Sequence, residues 1–389
     1  MNFRQIQRLF GWMVVLHFAF IANAQEFHPA PNDTLRSICI LPDGKVRFSI
    51  YAPNAESIKL NSTDIPNIVF GTALEKHPNG VWEVVIGPIA PGAYRYLFSV
   101  DGLDMVDPRN PNVSESNMNV WSLLVVPGDY SEIRNVPHGA VAEVTYFSTA
   151  LQCFRRMHVY TPPGYELNSK VYPVFYLLHG AYDCDDVWTT EGRAGFIMDN
   201  LIAENQAKPM VIVMPDGHVG PYYAGMQIDT TREAPAKLFA EDFMTDILPY
   251  IEQNYRVGHT QDLRAIAGLS MGGDQTLDIA ISHLDMFAYI GIFSSGVFAL
   301  RADNNPFGIW KQRWENENRE SLQNPQLKKG LKLIWFATGE EDFLLEDSQI
   351  TVDKLKENGF DVSFTVTAGG HTWTNWRDYL VEFLPLLFQ

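Results

Sequence analysis

The stretch Gly268–Leu269–Ser270–Met271–Gly272 constrains this chain more tightly than any other part of it. The apolar run Ala265–Ile266–Ala267 before it reads as a strand, and Gly273 to Ser282 after it reads as a helix. A strand that turns straight into a helix bends so sharply that side chains at 268 and 272 would strike neighbouring backbone, so glycine is needed at both. The serine between them is lifted onto the rim of a sheet, at a helix N-terminus that favours developing negative charge. G-x-S-x-G alone is a common string. In strand–turn–helix context it is a nucleophile elbow.

The surrounding chain supplies a sheet that can hold such an elbow. From about Ala140, apolar runs alternate with helical segments. Met157–Thr161, Val174–Leu178, Met210–Met214, Leu331–Phe336 and Val362–Val366 read as strands, and Ala240 to Tyr255 has helical periodicity through Phe243, Ile247, Leu248 and Ile251. Near-continuous apolar strands alternating with helices predict a mainly parallel sheet covered on both faces. Residues 25–127 follow another grammar. Val46–Tyr51 and Ser57–Leu60 alternate polar and apolar, and Gly80–Ile86, Ala93–Val100 and Asn119–Val126 are punctuated by Asn-Gly, Pro-Gly and Asp-Gly turns. That pattern predicts a β-sandwich. The expected organisation is therefore a sandwich at 25–127, a linker at 128–140 and an α/β domain at 141–389.

A serine hydroxyl is a poor nucleophile at neutral pH and needs a base. Elbow folds carry their partners in the order Ser, acid, His. Ala368–Gly369–Gly370–His371–Thr372 follows a strand near the C-terminus, and its glycines let the imidazole reach the elbow, so His371 is the expected base. Of the other histidines, all but His283 precede the elbow, and His283 ends the elbow helix. The acid should follow the strand ending at Gly339, where Glu340–Glu341–Asp342 stands. Asp342 is the expected acid and Glu341 the fallback. Its task is to hold the His371 tautomer and stabilise the imidazolium. An oxyanion needs two backbone N–H groups. Met271 offers one, and the loop His179–Gly180–Ala181 the other, with Ala181 favoured over Gly180. The base must be neutral to work, so the rate is expected to fall in acid.

The formal net charge of −17 repels phosphate backbones and anionic lipid, which argues against nucleic acid as a partner. Residues 1–24 read as a signal peptide: Arg4 and Arg8, an apolar run from Leu9, and Ala22–Asn23–Ala24 as the cleavage site. The mature chain is then exported, periplasmic or secreted, with no stable membrane insertion after cleavage. Three cysteines, Cys39, Cys153 and Cys184, allow one bridge at most and no disulfide framework. No Cys/His cluster has metal-ligand spacing, so neither metal nor cofactor is expected.

The segments Tyr176–Gly180, Asp183–Trp188, Met214–His218, Gly268–Gly273 and Gly370–Trp373 together resemble the esterase D-like branch of the α/β-hydrolases. Within that branch they are most similar to carbohydrate esterase family 1, the feruloyl and acetyl-xylan esterases. The resemblance runs from the linker to the C-terminus. It departs at Ala181, where many relatives have glycine. Trp82, Tyr94 to Gly102 and Asp107–Pro108 resemble the early-set sandwich of family-48 carbohydrate-binding modules. Trp82, Tyr94, Tyr96 and Trp121 could stack on sugars, although aromatics at alternating strand positions are usually core.

The resemblance implies a serine carboxylic-ester hydrolase acting on feruloylated or acetylated xylo- and arabino-oligosaccharides, with ferulate release from arabinoxylan foremost. Trp188, Tyr222, Tyr223, Trp373 and Trp376 are expected in loops bordering the site, where a flat acyl ring could pack. For Trp373 and Trp376 the alternative is packing of the C-terminal helix. An acetyl-xylan esterase, a siderophore esterase, and a glycan-binding protein with an inactive hydrolase domain stay open as alternatives.

Overall fold

Strands that bury one face alternate polar and apolar residues, whereas strands buried on both faces are apolar throughout. This chain carries the two patterns in separate parts. The structure is a computed structural model and describes residues 30–389 apart from 67, 69, 221–234 and 301–307. The expected signal peptide at 1–24, and Tyr222 and Tyr223, lie outside the described residues.

In the first part, one antiparallel sheet runs in the order β1 (Ile38–Ile40), β2 (Val46–Tyr51), β6 (Val81–Ile86), β5 (Glu75–Lys76). A second runs β4 (Thr72–Ala73), β3 (Ile58–Asn61), β7 (Gly92–Val100), β10 (Val120–Val126), β9 (Val113–Glu115), with β8 (Leu103–Met105) also paired to β7. Val46, Phe48 and Ile50 of β2 meet Leu60, Tyr94, Tyr96 and Phe98 in the core between the sheets. Tyr96 sits edge-on to Phe48 at 5.0 Å and to Phe98 at 5.8 Å, and its hydroxyl donates to the buried Asp107 at 2.7 Å. Trp82, Tyr94 and Tyr96 are thus core residues. Trp121 is half-buried beneath the Arg95 guanidinium, 5.9 Å from its ring centre.

The second part is built on one sheet in the order β11 (Ala140–Ser148), β12 (Cys153–Thr161), β14 (Val211–Pro215), β13 (Val174–Leu178), β15 (Arg264–Leu269), β16 (Tyr289–Phe293), β17 (Leu333–Gly339), β18 (Ser363–Thr367). β11 and β12 form a hairpin and β12 runs antiparallel to β14, while the remaining pairs are parallel. Successive side chains of β13 split between two cores. Val174, Tyr176 and Leu178 pack with the helices Met271–Ser282 and Leu345–Glu357, and Phe175 and Leu177 with Ala194–Ala203 and Trp373–Phe383. This two-sided burial is what the apolar runs demanded.

The helix expected at 240–255 belongs to a longer helical path, Pro235–Asn254, that widens to a π turn at Phe243–Ile247. Pro249 follows directly. It has no N–H and crowds the carbonyl four residues back, and the wider turn accommodates it. All three cysteines are free thiols. No described helix is long and apolar enough to cross a membrane.

The register sets up the site. Leu178 pairs with Gly268, Leu269 with Phe293, Phe293 with Ala337, and Gly339 with Thr367. The C-terminal ends of five neighbouring parallel strands therefore share one rim, and the segments leaving them carry Gly180, Ser270, Asp342 and His371.

Candidate active site

Ser270 is held at φ 51° and ψ −119°, a conformation that side chains rarely adopt. The cause is the turn. A Cβ on Gly268 would lie 2.2 Å from the Gly272 carbonyl oxygen, and one on Gly272 would lie 2.5 Å from that of His179. With both side chains absent the strand passes directly into the helix. The Gly273 N–H donates to the Ser270 carbonyl at 2.9 Å, and the Ser295 hydroxyl donates to the same oxygen at 2.6 Å.

The structure brings Ser270, His371 and Asp342 together. His371 Nε2 is 3.0 Å from Ser270 Oγ, and its Nδ1 is 3.0 Å from each Asp342 carboxylate oxygen. His371 stands just beyond the left-handed Gly369, on the segment that enters the helix Trp373–Phe383, whose first turn is capped by the Thr372 hydroxyl accepting from the Asn375 N–H. Asp342 is buried and accepts from the Leu344 N–H at 2.8 Å. Burial opposes its charge, but the hydrogen bond to His371 and that from Leu344 outweigh burial and hold the carboxyl below its ordinary range. Glu341 is exposed, and its backbone N–H, donating to the Gly369 carbonyl at 2.9 Å, is what meets the histidine loop.

Met271 opens the elbow helix, so its N–H has no partner within that helix. The loop after β13 runs alongside: a Cβ on Gly180 would lie 3.7 Å from Ser270 Cβ. Gly180 is buried, Ala181 half-buried and Tyr182 exposed. Two of the loop's carbonyls are tied. His179 Nδ1 donates to the Gly180 carbonyl at 2.8 Å, while its Nε2 accepts the Gly217 N–H at 2.8 Å. The Asn117 N–H, from the sandwich, donates to the Tyr182 carbonyl at 3.1 Å. In a trans peptide the N–H points opposite to the preceding carbonyl. Anchoring the Gly180 carbonyl therefore sets the direction of the Ala181 N–H. His218 hydrogen-bonds the Ala181 backbone, and burial, reinforced by neighbouring His179, pushes its imidazole down to about 4.

The expected aromatic border is corrected in part. Trp188 belongs to the short helix Val187–Thr190 and is only 1% exposed, with its N–H donating to the Leu178 carbonyl at 3.0 Å. It packs edge-on against Trp373 at 5.0 Å, so it is core beneath the site and offers no face to a ligand. Trp373 and Trp376 are likewise buried and pack the C-terminal helix, and Trp376 stands edge-on to the His371 ring at 4.9 Å. On the segments that carry Asp342 and Ala181, two other aromatics are open to solvent. Phe343 is 67% exposed with its ring centre 4.4 Å from that of His371, and Tyr182 is 55% exposed beside the Ala181 N–H. The sequence signal for Phe343 was an aromatic residue directly after Glu340–Glu341–Asp342. Among the described residues no three His, Cys, Asp or Glu side chains group as metal ligands would.

The arrangement can deprotonate a hydroxyl, direct it at a carbonyl and steady the resulting oxyanion, which is acyl-transfer chemistry. Residues 148–387 match the family model described as "Putative esterase", and residues 37–110 match carbohydrate-binding module 48, the isoamylase N-terminal domain. The endo-1,4-beta-xylanase/feruloyl esterase of Xylanibacter ruminicola is 30% identical over 356 residues, covering 89% of this chain and 45% of that protein. This chain thus spans less than half the length of that relative. Among solved structures, a ferulic acid esterase is 29% identical with a TM-score of 0.54, covering 66% of this chain and 100% of that one. An enterobactin esterase of Shigella flexneri is 17% identical with a TM-score of 0.59, covering 88% of this chain and 92% of that one, a likeness of fold.

Proposed function

We propose that this chain, which belongs to the esterase family, hydrolyses carboxylic esters borne by plant hemicellulose and releases ferulate from feruloylated arabinoxylan fragments. The observation that carries the chemistry is the imidazole of His371, 3.0 Å from the Ser270 hydroxyl on one side and 3.0 Å from the Asp342 carboxylate on the other. In this reading Ser270 Oγ attacks the ester carbonyl while its proton passes to His371 Nε2. The N–H groups of Met271 and Ala181 receive the oxyanion, with Gly180 the lesser candidate. The bond to the sugar oxygen breaks as His371 returns the proton to it. Water, deprotonated by the same imidazole, then attacks the acyl-serine, freeing the acid and restoring Ser270.

Two features support an aromatic acyl group. Phe343, against the His371 ring, and Tyr182, next in the chain to Ala181, are large exposed side chains, and a flat feruloyl ring buries area well against such surfaces. The Xylanibacter relative, which aligns with 89% of this chain, carries feruloyl esterase in its name. The signal-like residues 1–24 support an exported enzyme, periplasmic or secreted, where hemicellulose fragments are met. The domain limits 25–127 and 141–389, joined by 128–140, belong to the same proposal.

A siderophore esterase is the second reading, favoured by a fold shared with the enterobactin esterase over both parts of the chain. The net charge of −17 disfavours anionic catecholates. Product analysis on feruloylated arabino-oligosaccharides, acetylated xylo-oligosaccharides and a catecholate trilactone decides among them. Ferulate release at the highest kcat/KM is expected. Rapid cleavage of acetyl esters or of the trilactone with no ferulate released overturns it. Fluorophosphonate labelling that is lost in Ser270→Ala separates all of these from an inactive glycan-binding protein.

A further inference from the structure

The sandwich reaches into the oxyanion loop through one buried side chain. Arg95, on β7, is 8% exposed and lies in a fork between two carboxylates. Asp64, also of the sandwich, accepts its backbone N–H and its Nε at 3.0 Å each, which fixes the plane of the guanidinium. The remaining arm crosses to the hydrolase part, where Nη1 donates to Asp183 Oδ1 at 2.6 Å. Asp183 closes the loop that starts at Gly180: its N–H donates to the Gly180 carbonyl at 3.2 Å, and a Cβ built on Gly180 would lie 3.7 Å from both Asp183 Oδ2 and Ser270 Cβ. Two hydrogen bonds thus link Arg95 through Asp183 to the Gly180 carbonyl, and Gly180 lies alongside the elbow serine. The second tie from the sandwich, the Asn117 N–H on the Tyr182 carbonyl at 3.1 Å, grips the same loop one residue away.

We propose that Arg95 is a positioning residue of the active site: through Asp183 it holds the 180–183 turn so that the Ala181 N–H faces the oxyanion, making the sandwich part of the hydrolytic machinery whether or not it binds sugar. A guanidinium suits this task because its rigid fork engages two carboxylates at once, which an ammonium does not. An oxyanion donor displaced by about 1 Å loses much of its effect, and the loss falls on the transition state rather than on substrate binding. The inference rests on the ester-hydrolase reading but not on ferulate as the acyl group.

The test uses the full-length chain with p-nitrophenyl acetate and the variants Arg95→Met, Asp183→Asn, their double variant and Arg95→Lys. In both single variants kcat is expected to fall about tenfold to a hundredfold with KM within about twofold of the parent. The double variant should be no worse than the poorer single one, because both act through one contact. Arg95→Lys should recover part of the loss. Amide hydrogen exchange should accelerate across 179–184 while β15 keeps its protection, a pattern that general loss of stability would not produce. Folded Arg95→Met and Asp183→Asn proteins with kcat within about twofold of the parent overturn the proposal. Should Arg95→Met fail to fold, Asp183→Asn and Arg95→Lys decide it. Exchange needs no turnover. An inactive parent with faster exchange in the variants removes the hydrolase reading and leaves the brace, whereas unchanged exchange removes the brace itself.

Discussion

The ring of Phe343 lies 4.4 Å from the imidazole of His371, tilted by 46°, with 67% of its surface open to water. A side chain so apolar and so exposed, beside the group that reads as the general base, is suited to cover an acyl or leaving group during the reaction. Phe343→Ala is expected to lower kcat/KM for methyl ferulate about tenfold more than for p-nitrophenyl acetate, the range set by one lost aromatic contact. Steady-state kinetics on the two esters checks this, and an equal loss on both would show that Phe343 only supports His371.

Asp342→Asn should reduce kcat by about 10³–10⁴-fold, because the amide no longer favours the tautomer that leaves Nε2 free to accept the serine proton. The same substitution carries a pH signature. The carboxyl in the folded chain sits below its unfolded value of about 3.9, so the folded state binds fewer protons there. Its stabilisation is present above about pH 4 and is lost as pH falls through the lower folded value. The melting temperature of Asp342→Asn should therefore trail the parent at pH 7, and the gap should shrink below about pH 4. A gap that widens in acid contradicts the sign.

Trp188→Ala should act as a core truncation. It removes a fully buried ring and its hydrogen bond to Leu178, at a cost of about 3–5 kcal/mol in unfolding free energy. Denaturant melts measure the loss. A stable variant with altered acyl preference would instead return Trp188 to the substrate border.

Gly268→Ala tests the elbow. The added methyl would meet the Gly272 carbonyl at 2.2 Å, and the obstacle is backbone rather than a side chain that can swing away. The expected outcome is loss of fluorophosphonate labelling at Ser270 together with lower soluble yield. Gly220→Ala is the control for yield: its backbone is outside the left-handed region and nothing lies within 4 Å of its Cβ position. Full labelling of Gly268→Ala would show that the turn can relax.

Much of this was legible because local rules and global packing agree. Alternation in Val46–Tyr51 and continuous apolarity in Val174–Leu178 each allow one kind of burial, and both strands lie where the pattern placed them. Gly268 was legible for the same reason, since the carbonyl its side chain would strike is that of nearby Gly272, whereas the carbonyl that bars a side chain at Gly272 is that of His179, from another strand end. The aromatic border was less so. Trp188, Trp373 and Trp376 look in sequence like ring surfaces near the site, yet all three are buried. A hydrophobic ring fits a core and a ligand face equally well, and only the neighbours that cover it distinguish the two.

The sequence by itself determined the elbow and the change from sandwich to α/β pattern, because each is written in spacing and polarity along short stretches. The tertiary structure alone decided that Asp342 rather than Glu341 faces the imidazole, that Phe343 and Tyr182 are exposed, and that Arg95 reaches Asp183 across 88 residues of chain. Those are meetings of side chains from distant segments. They depend on the rotation and register of whole sheets, which no local pattern encodes.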